Sequence, residues 1–361
     1  MSASRRVSRQ VQVGSVAIGG GAPVSIQSMT NTDTADVCAT ERQVRALVDA
    51  GCQIVRLAVP TVESARTFFA LKEKGISVPL VADIHFDYRI ALEAVAAGAD
   101  KIRINPGNIG DRDRVKAVVD ACRSHGVPIR IGVNAGSLER HLLAKYGSPT
   151  PEALVESAMG HVRILEALDF TDVILSVKSS HVPTMLRTNE LLAQETSYPL
   201  HLGVTEAGNG EMGLVKGALG IGSLLARGIG DTVRVSLTDD PVREVESAQM
   251  ILSALGMGAP RMDIVSCPTC GRTKIDLIPL LSRFKEAVRR EGLDKLPIKV
   301  AIMGCAVNGP GEAREADIGI AGGTDEALLF KKGEILAKYP ASDIVDVLVS
   351  HIRQMQETPS T

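Results

Sequence analysis

The chain has 361 residues, 45% of them hydrophobic, with 40 lysines and arginines against 42 aspartates and glutamates. That length exceeds one ordinary core and points to two domains, and a formal net charge of -2 removes the broad basic face of a nucleic-acid binder. No apolar run approaches the ~18 residues that would span a bilayer. The basic start Met1–Arg6 leads into no signal-peptide core and six cysteines do not make a disulfide scaffold, so the reducing cytoplasm is the expected compartment.

After a frayed start, Val11–Gly14 and Val16–Ile18 read as a short hairpin. A rhythm then sets in. Short aliphatic runs, each followed by a polar loop and an amphipathic helix, recur at Val24–Met29, Ile54–Val59, Leu80–Ile84, Lys101–Asn105, Ile129–Val133, Val173–Val177, Leu200–Val204 and Val233–Leu237. Continuous aliphatic runs mark strands buried on both faces of a parallel sheet. Glycines at Ala50-Gly51, Lys74-Gly75, Ala97-Gly98 and His125-Gly126 mark helix ends just before the next strand. Eight such units, ending near Gly256, predict an α/β fold whose N-terminal domain (1–256) is a (β/α)8 TIM-type barrel of the usual ~250 residues. A doubly wound sheet has no reason to stop at eight.

Cations interrupt the predicted strands: Arg56, Arg103, Arg130, Lys178 and Arg234 each sit in or at the end of an apolar run. Strand alternation turns them to one side and their aliphatic neighbours to the other. Several inward cations repel one another and lose hydration, which favours an anion among them, and the arginine fork suits phosphate oxygens. The plain alternative is internal pairing with Asp83, Glu206 or Asp239. Polar residues crowd the same strand ends, among them Ser28, His85, Asn105, Asn134, Ser179, Thr205 and Ser236, while the run Asn209–Gly213 follows the seventh strand, where barrels often bind phosphate.

Gly256–Pro260 reads as a linker into a smaller α/β domain, 257–361. It carries the loop Ser266-Cys267-Pro268-Thr269-Cys270-Gly271-Arg272, a helix over about Leu277–Glu291 and a strand Ile298–Met303. The loop Gly304-Cys305-Ala306-Val307-Asn308-Gly309-Pro310-Gly311-Glu312 comes next, then strands Asp317–Ala321 and Glu326–Lys331 and a last helix from about Ser342 to Gln356. Three thiols on two Gly/Pro-rich loops look like ligands. Zinc wants four closed ligands, yet no histidine lies between His201 and His351. A thioredoxin-like pair lacks its strand-and-long-helix setting, and buried inert thiols do not need such loops. Soft thiolates that stop at three favour an iron–sulfur cluster with an oxygen ligand on the remaining iron, for which Glu312 is the natural donor. Cys38, Cys52 and Cys122, in helical contexts, are expected to be inert packing residues.

The two loops closely resemble those of the 4-hydroxy-3-methylbut-2-enyl diphosphate synthase family, the bacterial reductase of the non-mevalonate isoprenoid pathway, and the resemblance covers nearly the whole chain. It implies a [4Fe–4S] cluster on Cys267, Cys270, Cys305 and Glu312, with Asn308 as a nearby active-site residue. It further implies a barrel that binds a cyclic diphosphate, through residues matching Arg103, Arg130, Asn134, Lys178 and Ser236. Arg56 and Asp83 lie in stretches that look like the family's, and Glu206 matches the carboxylate of its Thr-Glu-Ala-Gly motif. The implied reaction reduces 2-C-methyl-D-erythritol 2,4-cyclodiphosphate to 4-hydroxy-3-methylbut-2-enyl diphosphate, with flavodoxin or ferredoxin as donor. A zinc-stabilised, phosphate-binding barrel without redox activity is the alternative. The chain lacks the long insertion of plant-type members, as the compact bacterial form does.

A head-to-tail homodimer is also expected. A barrel's last helix ends on the face opposite its mouth. A linker of about five residues reaches at most ~18 Å, against a barrel side of ~30 Å. The family that the chain resembles is built as such a dimer.

Overall fold

The computed structural model describes residues 4–305 and 313–357. The chain divides into two compact units, Met1–Met257 and Gly258–Thr361. In the first, β1 (Val11–Val13) and β2 (Val16–Ile18) form the antiparallel hairpin expected of them. The barrel strands are β3 (Ser25–Met29), β4 (Ile54–Ala58), β5 (Leu80–Asp83), β6 (Lys101–Ile104), β7 (Ile129–Asn134), β8 (Val173–Lys178), β9 (His201–Leu202) and β10 (Thr232–Val233). They pair in parallel in the order β8-β7-β6-β5-β4-β3-β10-β9, and a parallel bridge from Leu175 to Leu200 closes the ring. This is the predicted eight-stranded barrel.

Alternation does the rest. Leu57, Leu80, Ala82, Ile102, Ile104, Ile129 and Ile131 face outward into one continuous apolar core with the surrounding helices. The inward face carries the polar and charged side chains. At the N-terminal end of the strands, Ile54, Val81 and Ile174 pack against Val11, Val13 and Ile18, so the hairpin plugs that mouth. Burying each such side chain contributes roughly 1.5–3 kcal/mol. Val13→Asp would place an unpaired charge in the plug and undo it.

Two of the strands are shorter than the sequence predicts: β9 and β10 have two residues each, where Leu200–Val204 and Val233–Leu237 were expected. The chain after them leaves the ladder to serve the barrel mouth. The Leu237 amide, for example, donates to Glu244 Oε1 at 3.1 Å rather than to a neighbouring strand.

The second unit is a five-stranded sheet in the order β11-β12-β13-β14-β15, with β11 (Asp263–Ser266), β12 (Lys299–Met303) and β13 (Ile318–Gly322) parallel, then β14 (Glu326–Lys331) and β15 (Glu334–Pro340) antiparallel. Helices Leu277–Arg290 and Ile344–Glu357 cover one face through Leu280, Phe284, Leu348 and Ile352, which pack with Ile302, Ile320 and Leu329. Strands β11 and β15 are additions to the sequence reading. The latter is an edge strand whose exposed Glu334, Lys338 and terminal Pro340 mask its alternation, the usual way edges are blunted.

Candidate active site

The C-terminal ends of the barrel strands surround a cavity of about 190 Å³ lined by Arg56, Arg103, Arg130, Lys178 and Arg234, with Asp83 as the carboxylate among its lining residues. At a liquid share of about 30 Å³ per water, that is room for roughly six waters, a polyatomic anion rather than a single ion. Asn134, Ser236, Thr205 and His85 line it too. Each cation comes from a different strand or strand end because a residue flanked by outward aliphatics must point inward. Register sets their neighbours: Arg103 pairs with Arg130, Asp83 with Arg103, and Asn134 with Lys178.

Counter-charge is short. Asp83 Oδ1 accepts from Arg103 at 3.1 Å, and its Oδ2 lies 3.7 Å from Arg56 Nε and 3.9 Å from His85 Nε2. Burial alone would raise the Asp83 carboxyl, but Arg56, Arg103 and Arg130 outweigh it and hold the group at about 2. Arg234 is gripped by Glu244 through two hydrogen bonds of 3.1 and 3.0 Å, and Glu244 also accepts from Ser28 at 2.9 Å. Neither Arg130 nor Lys178 has a salt bridge among the described residues, and Arg130 Nε has no hydrogen-bond partner there. Burial pushes both well below their usual ranges, reinforced by neighbouring arginines, while Arg56 falls to about 10 despite Asp83.

Two glycines make this packing fit. A Cβ on Gly132 would lie 2.4 Å from Arg103 Nε, and one on Gly203 would lie 2.7 Å from Lys178 Nζ and 2.6 Å from the Arg234 carbonyl oxygen. Neither was singled out from the sequence, although a glycine inside a strand signals close approach. Glu244 escaped notice because it arrives from the helix Pro241–Ala254, outside the strand rhythm.

Other expected positions fall elsewhere. Glu206 is exposed, beside the lining residue Thr205, and takes a left-handed backbone with φ 51°, a conformation costing a side-chain-bearing residue on the order of 1 kcal/mol or more. Asp239 is exposed and pairs with none of the barrel cations. Asn105 caps the helix Pro106–Ile109, Ser179 accepts from the His181 amide, and Asn209–Gly213 opens a helix without lining the cavity.

In the second unit, β11 and β12 are parallel neighbours, so Cys267 and Cys305 follow adjacent strand ends. The Gly304 amide donates to Cys267 Sγ at 3.2 Å, and the Lys274 amide to the Gly304 carbonyl at 2.9 Å, which ties the two loops together. Cys267 is half-buried, Cys305 buried and Cys270 exposed. The Arg272 amide and side chain lower the Cys270 thiol. Soft sulfurs on two loops tied together are the donors an iron–sulfur group takes, so the donor set fits one. Among the described residues, no three His, Cys, Asp or Glu side chains group closely enough to hold a single metal ion. Asn308 and Glu312 lie outside the described residues. Cys52 and Cys122 are buried, their thiols pushed up to about 12 by burial. Cys38, expected to pack, is exposed instead, on the solvent side of the helix Val37–Asp49.

The GcpE TIM-barrel domain matches residues 8–249 and the GcpE protein C-terminal domain matches residues 263–354. The chain belongs to the GcpE family. A relative from Clostridium perfringens named 4-hydroxy-3-methylbut-2-en-1-yl diphosphate synthase (flavodoxin) is 56% identical over 97% of this chain and 99% of its own. Another GcpE relative of the same name, from Caldanaerobacter subterraneus subsp. tengcongensis, is 53% identical over 97% of this chain and 98% of its own. Outside the GcpE family, a type I 3-dehydroquinate dehydratase from Clostridium difficile superposes with a TM-score of 0.51 at 15% identity, covering 69% of this chain and 98% of its own, which shows the barrel fold alone. The names of the GcpE relatives lend no support to a zinc-stabilised phosphate-binding barrel without redox activity.

Proposed function

We propose that this GcpE-family chain is a reductase that binds 2-C-methyl-D-erythritol 2,4-cyclodiphosphate in the barrel cavity and converts it to 4-hydroxy-3-methylbut-2-enyl diphosphate. The substrate takes up two electrons and two protons, one ring C–O bond to phosphate breaks, a hydroxyl leaves as water and a carbon–carbon double bond forms. One observation carries the reading: five inward cations share Asp83 and Glu244, leaving Arg130 and Lys178 with no carboxylate partner among the described residues. A diphosphate supplies the missing charge.

The chain's own groups then divide the work. Arg130 and Lys178 bind the phosphoryl oxygens, with Arg103, Arg56, Asn134 and Ser236 completing the shell, and fixed donors there cost no reorganisation as charge grows on the departing phosphate. Asp83 keeps Arg56 and Arg103 in place. Glu206, on its strained turn at the mouth, is the proton donor to the departing hydroxyl. Cys267, Cys270, Cys305 and Glu312 would hold a [4Fe–4S] cluster, and Asn308 would serve the same active site. When bound, such a group supplies electrons one at a time. The flavodoxin in the relatives' name is the donor class, and ferredoxin the runner-up.

Two further parts of the reading come from the sequence: residence in the cytoplasm, and a head-to-tail homodimer. Among the described residues no helix is long and apolar enough to cross a membrane. Mixing inactive Cys305→Ser and Lys178→Ala chains tests the dimer, since activity returns only where subunits share sites. For the reaction, anaerobically prepared protein replete in iron and sulfide, given reduced flavodoxin, forms the open-chain diphosphate from the cyclodiphosphate. No product under those conditions overturns the reading.

A further inference from the structure

Below the cavity, between the cation ring and the hairpin plug, the barrel holds basic groups that the diphosphate reading does not use. Lys101 opens β6 two residues before Arg103, on the same inward face and about 6.6 Å lower along the strand. It has no exposed surface, and its side chain's one hydrogen bond among the described residues is long, Nζ to Gln27 Oε1 at 3.4 Å. Gln27 donates in turn to Thr232 Oγ1 at 2.7 Å. His201, the first residue of β9, is fully buried, and neither ring nitrogen has a partner among the described residues. Among the described residues, the charges that act on Lys101 are Arg130 from β7 and Arg56 from β4, and those that act on His201 include Arg130, Lys178, Lys101 and Arg56. The nearby carboxylates are engaged elsewhere, Asp83 with Arg103 and Arg56, Glu244 with Arg234 and Ser28. An ammonium at Lys101 would have no carboxylate partner among the described residues, and burial, followed by Arg130 and Arg56, holds the amine well below its ordinary range.

We propose that Lys101, one layer below the residues that line the cavity, is a charge-compensating residue for the diphosphate that takes up a proton at Nζ when phosphoryl charge settles on the ring above it. This rests on the reading of the cavity as a diphosphate site. The proton comes from solvent to Lys101 Nζ, one N–H bond forms, and no electrons move. The reaction gives the device a use. A cyclic diphosphate carries two diester-like, strongly acidic phosphoryl groups, and opening the ring frees a terminal phosphoryl oxygen with a further ionisation. A floor that gains positive charge suits a ligand that gains negative charge.

The test is calorimetry of the cluster-loaded enzyme, without an electron donor, titrated with 2-C-methyl-D-erythritol 2,4-cyclodiphosphate in buffers of different ionisation enthalpy. The ligand has no group that titrates near neutral pH, so any proton taken up belongs to the protein. Lys178 and His201 are present in all the proteins compared, so a difference in uptake reports the replacement at Lys101. Wild type takes up about one proton more than Lys101→Met or Lys101→Arg, and over that pH range its affinity falls about tenfold more per pH unit. Either variant, shown to be folded by circular dichroism and melting, is enough. Equal uptake in wild type and a folded variant overturns the proposal even if binding is normal, and so does zero uptake in wild type. Absence of binding in wild type is a different failure, that of the diphosphate reading itself.

Discussion

Arg103 and Arg130 face each other across the β6–β7 ladder, and of the two only Arg103 reaches a carboxylate among the described residues, Asp83, at 3.1 Å. The same charge in the same ring therefore plays two parts. One guanidinium is held in place within the protein, and the other is left to the proposed diphosphate.

Replacing them should separate those parts. Arg130→Met removes a buried charge that has no counter-ion among the described residues, so the free protein keeps or gains stability while affinity for the cyclodiphosphate drops by roughly 2–5 kcal/mol. Arg103→Met leaves Asp83 with the longer 3.7 Å contact to Arg56 and destabilises the free protein as well. Denaturant melts and calorimetry on both variants check this. Equal stability loss in the two would contradict the division.

Asp83 predicts an acid limit. Folding lowers its carboxyl from 3.8 to about 2, so the folded state binds the proton more weakly. The stabilisation is fully present above about pH 5, is lost as pH falls through 3.8 towards 2, and amounts to about 2 kcal/mol. Asp83→Asn is less stable than wild type at neutral pH because Arg56 and Arg103 lose their partner, and the gap narrows by that amount on acidification. Unfolding free energies measured from pH 6 to 2 decide it, and parallel curves would refute the assignment.

What the sequence made legible follows from how each signal is carried. The strands showed because a buried parallel strand needs an aliphatic residue at nearly every position, and the cations showed because a charge inside such a run has one direction left to point. Pairing was harder to read. Arg103 and Arg56 do use Asp83, one of the expected partners, but Arg234 uses Glu244, whose helix places it by tertiary packing that no strand periodicity encodes. Cys38 misled for a related reason: helical context alone does not say which face is buried, and its thiol lies on the exposed one.

The two glycines of the cavity wall should fail differently. On Gly132 a new Cβ meets the mobile end of Arg103, with Nε at 2.4 Å and Cζ at 3.0 Å. Gly132→Ala therefore displaces the guanidinium from Asp83 and weakens ligand binding while the barrel stays folded. On Gly203 the nearest atom is backbone, the Arg234 carbonyl at 2.6 Å, which cannot swing away. Gly203→Ala should lower the melting temperature, with overpacking worth about 1–3 kcal/mol. A Gly203→Ala protein that melts like wild type would show that the ladder there yields more easily than its geometry suggests.

The cysteines give the sharpest contrast, because the six thiols occupy different chemical settings. Cys267 accepts the Gly304 amide, Cys270 is lowered by Arg272, and Cys305 sits one residue beyond that same Gly304, on loops tied by backbone hydrogen bonds. Cys52 and Cys122 lie in the barrel core with thiols near 12, poor sources of thiolate, and Cys38 stands alone on an exposed helix face. Serine at 267, 270 or 305 exchanges a soft sulfur for a hard oxygen and should abolish stoichiometric iron and sulfide together with activity. Serine at 52 or 122 should cost about 1 kcal/mol of stability, the common size of a core substitution, and leave iron content intact. Serine at 38 should change neither. Iron and sulfide analysis of the six anaerobically purified variants, beside their melting curves, tests the assignment residue by residue. Full iron in any one of the first three removes that cysteine from the ligand set.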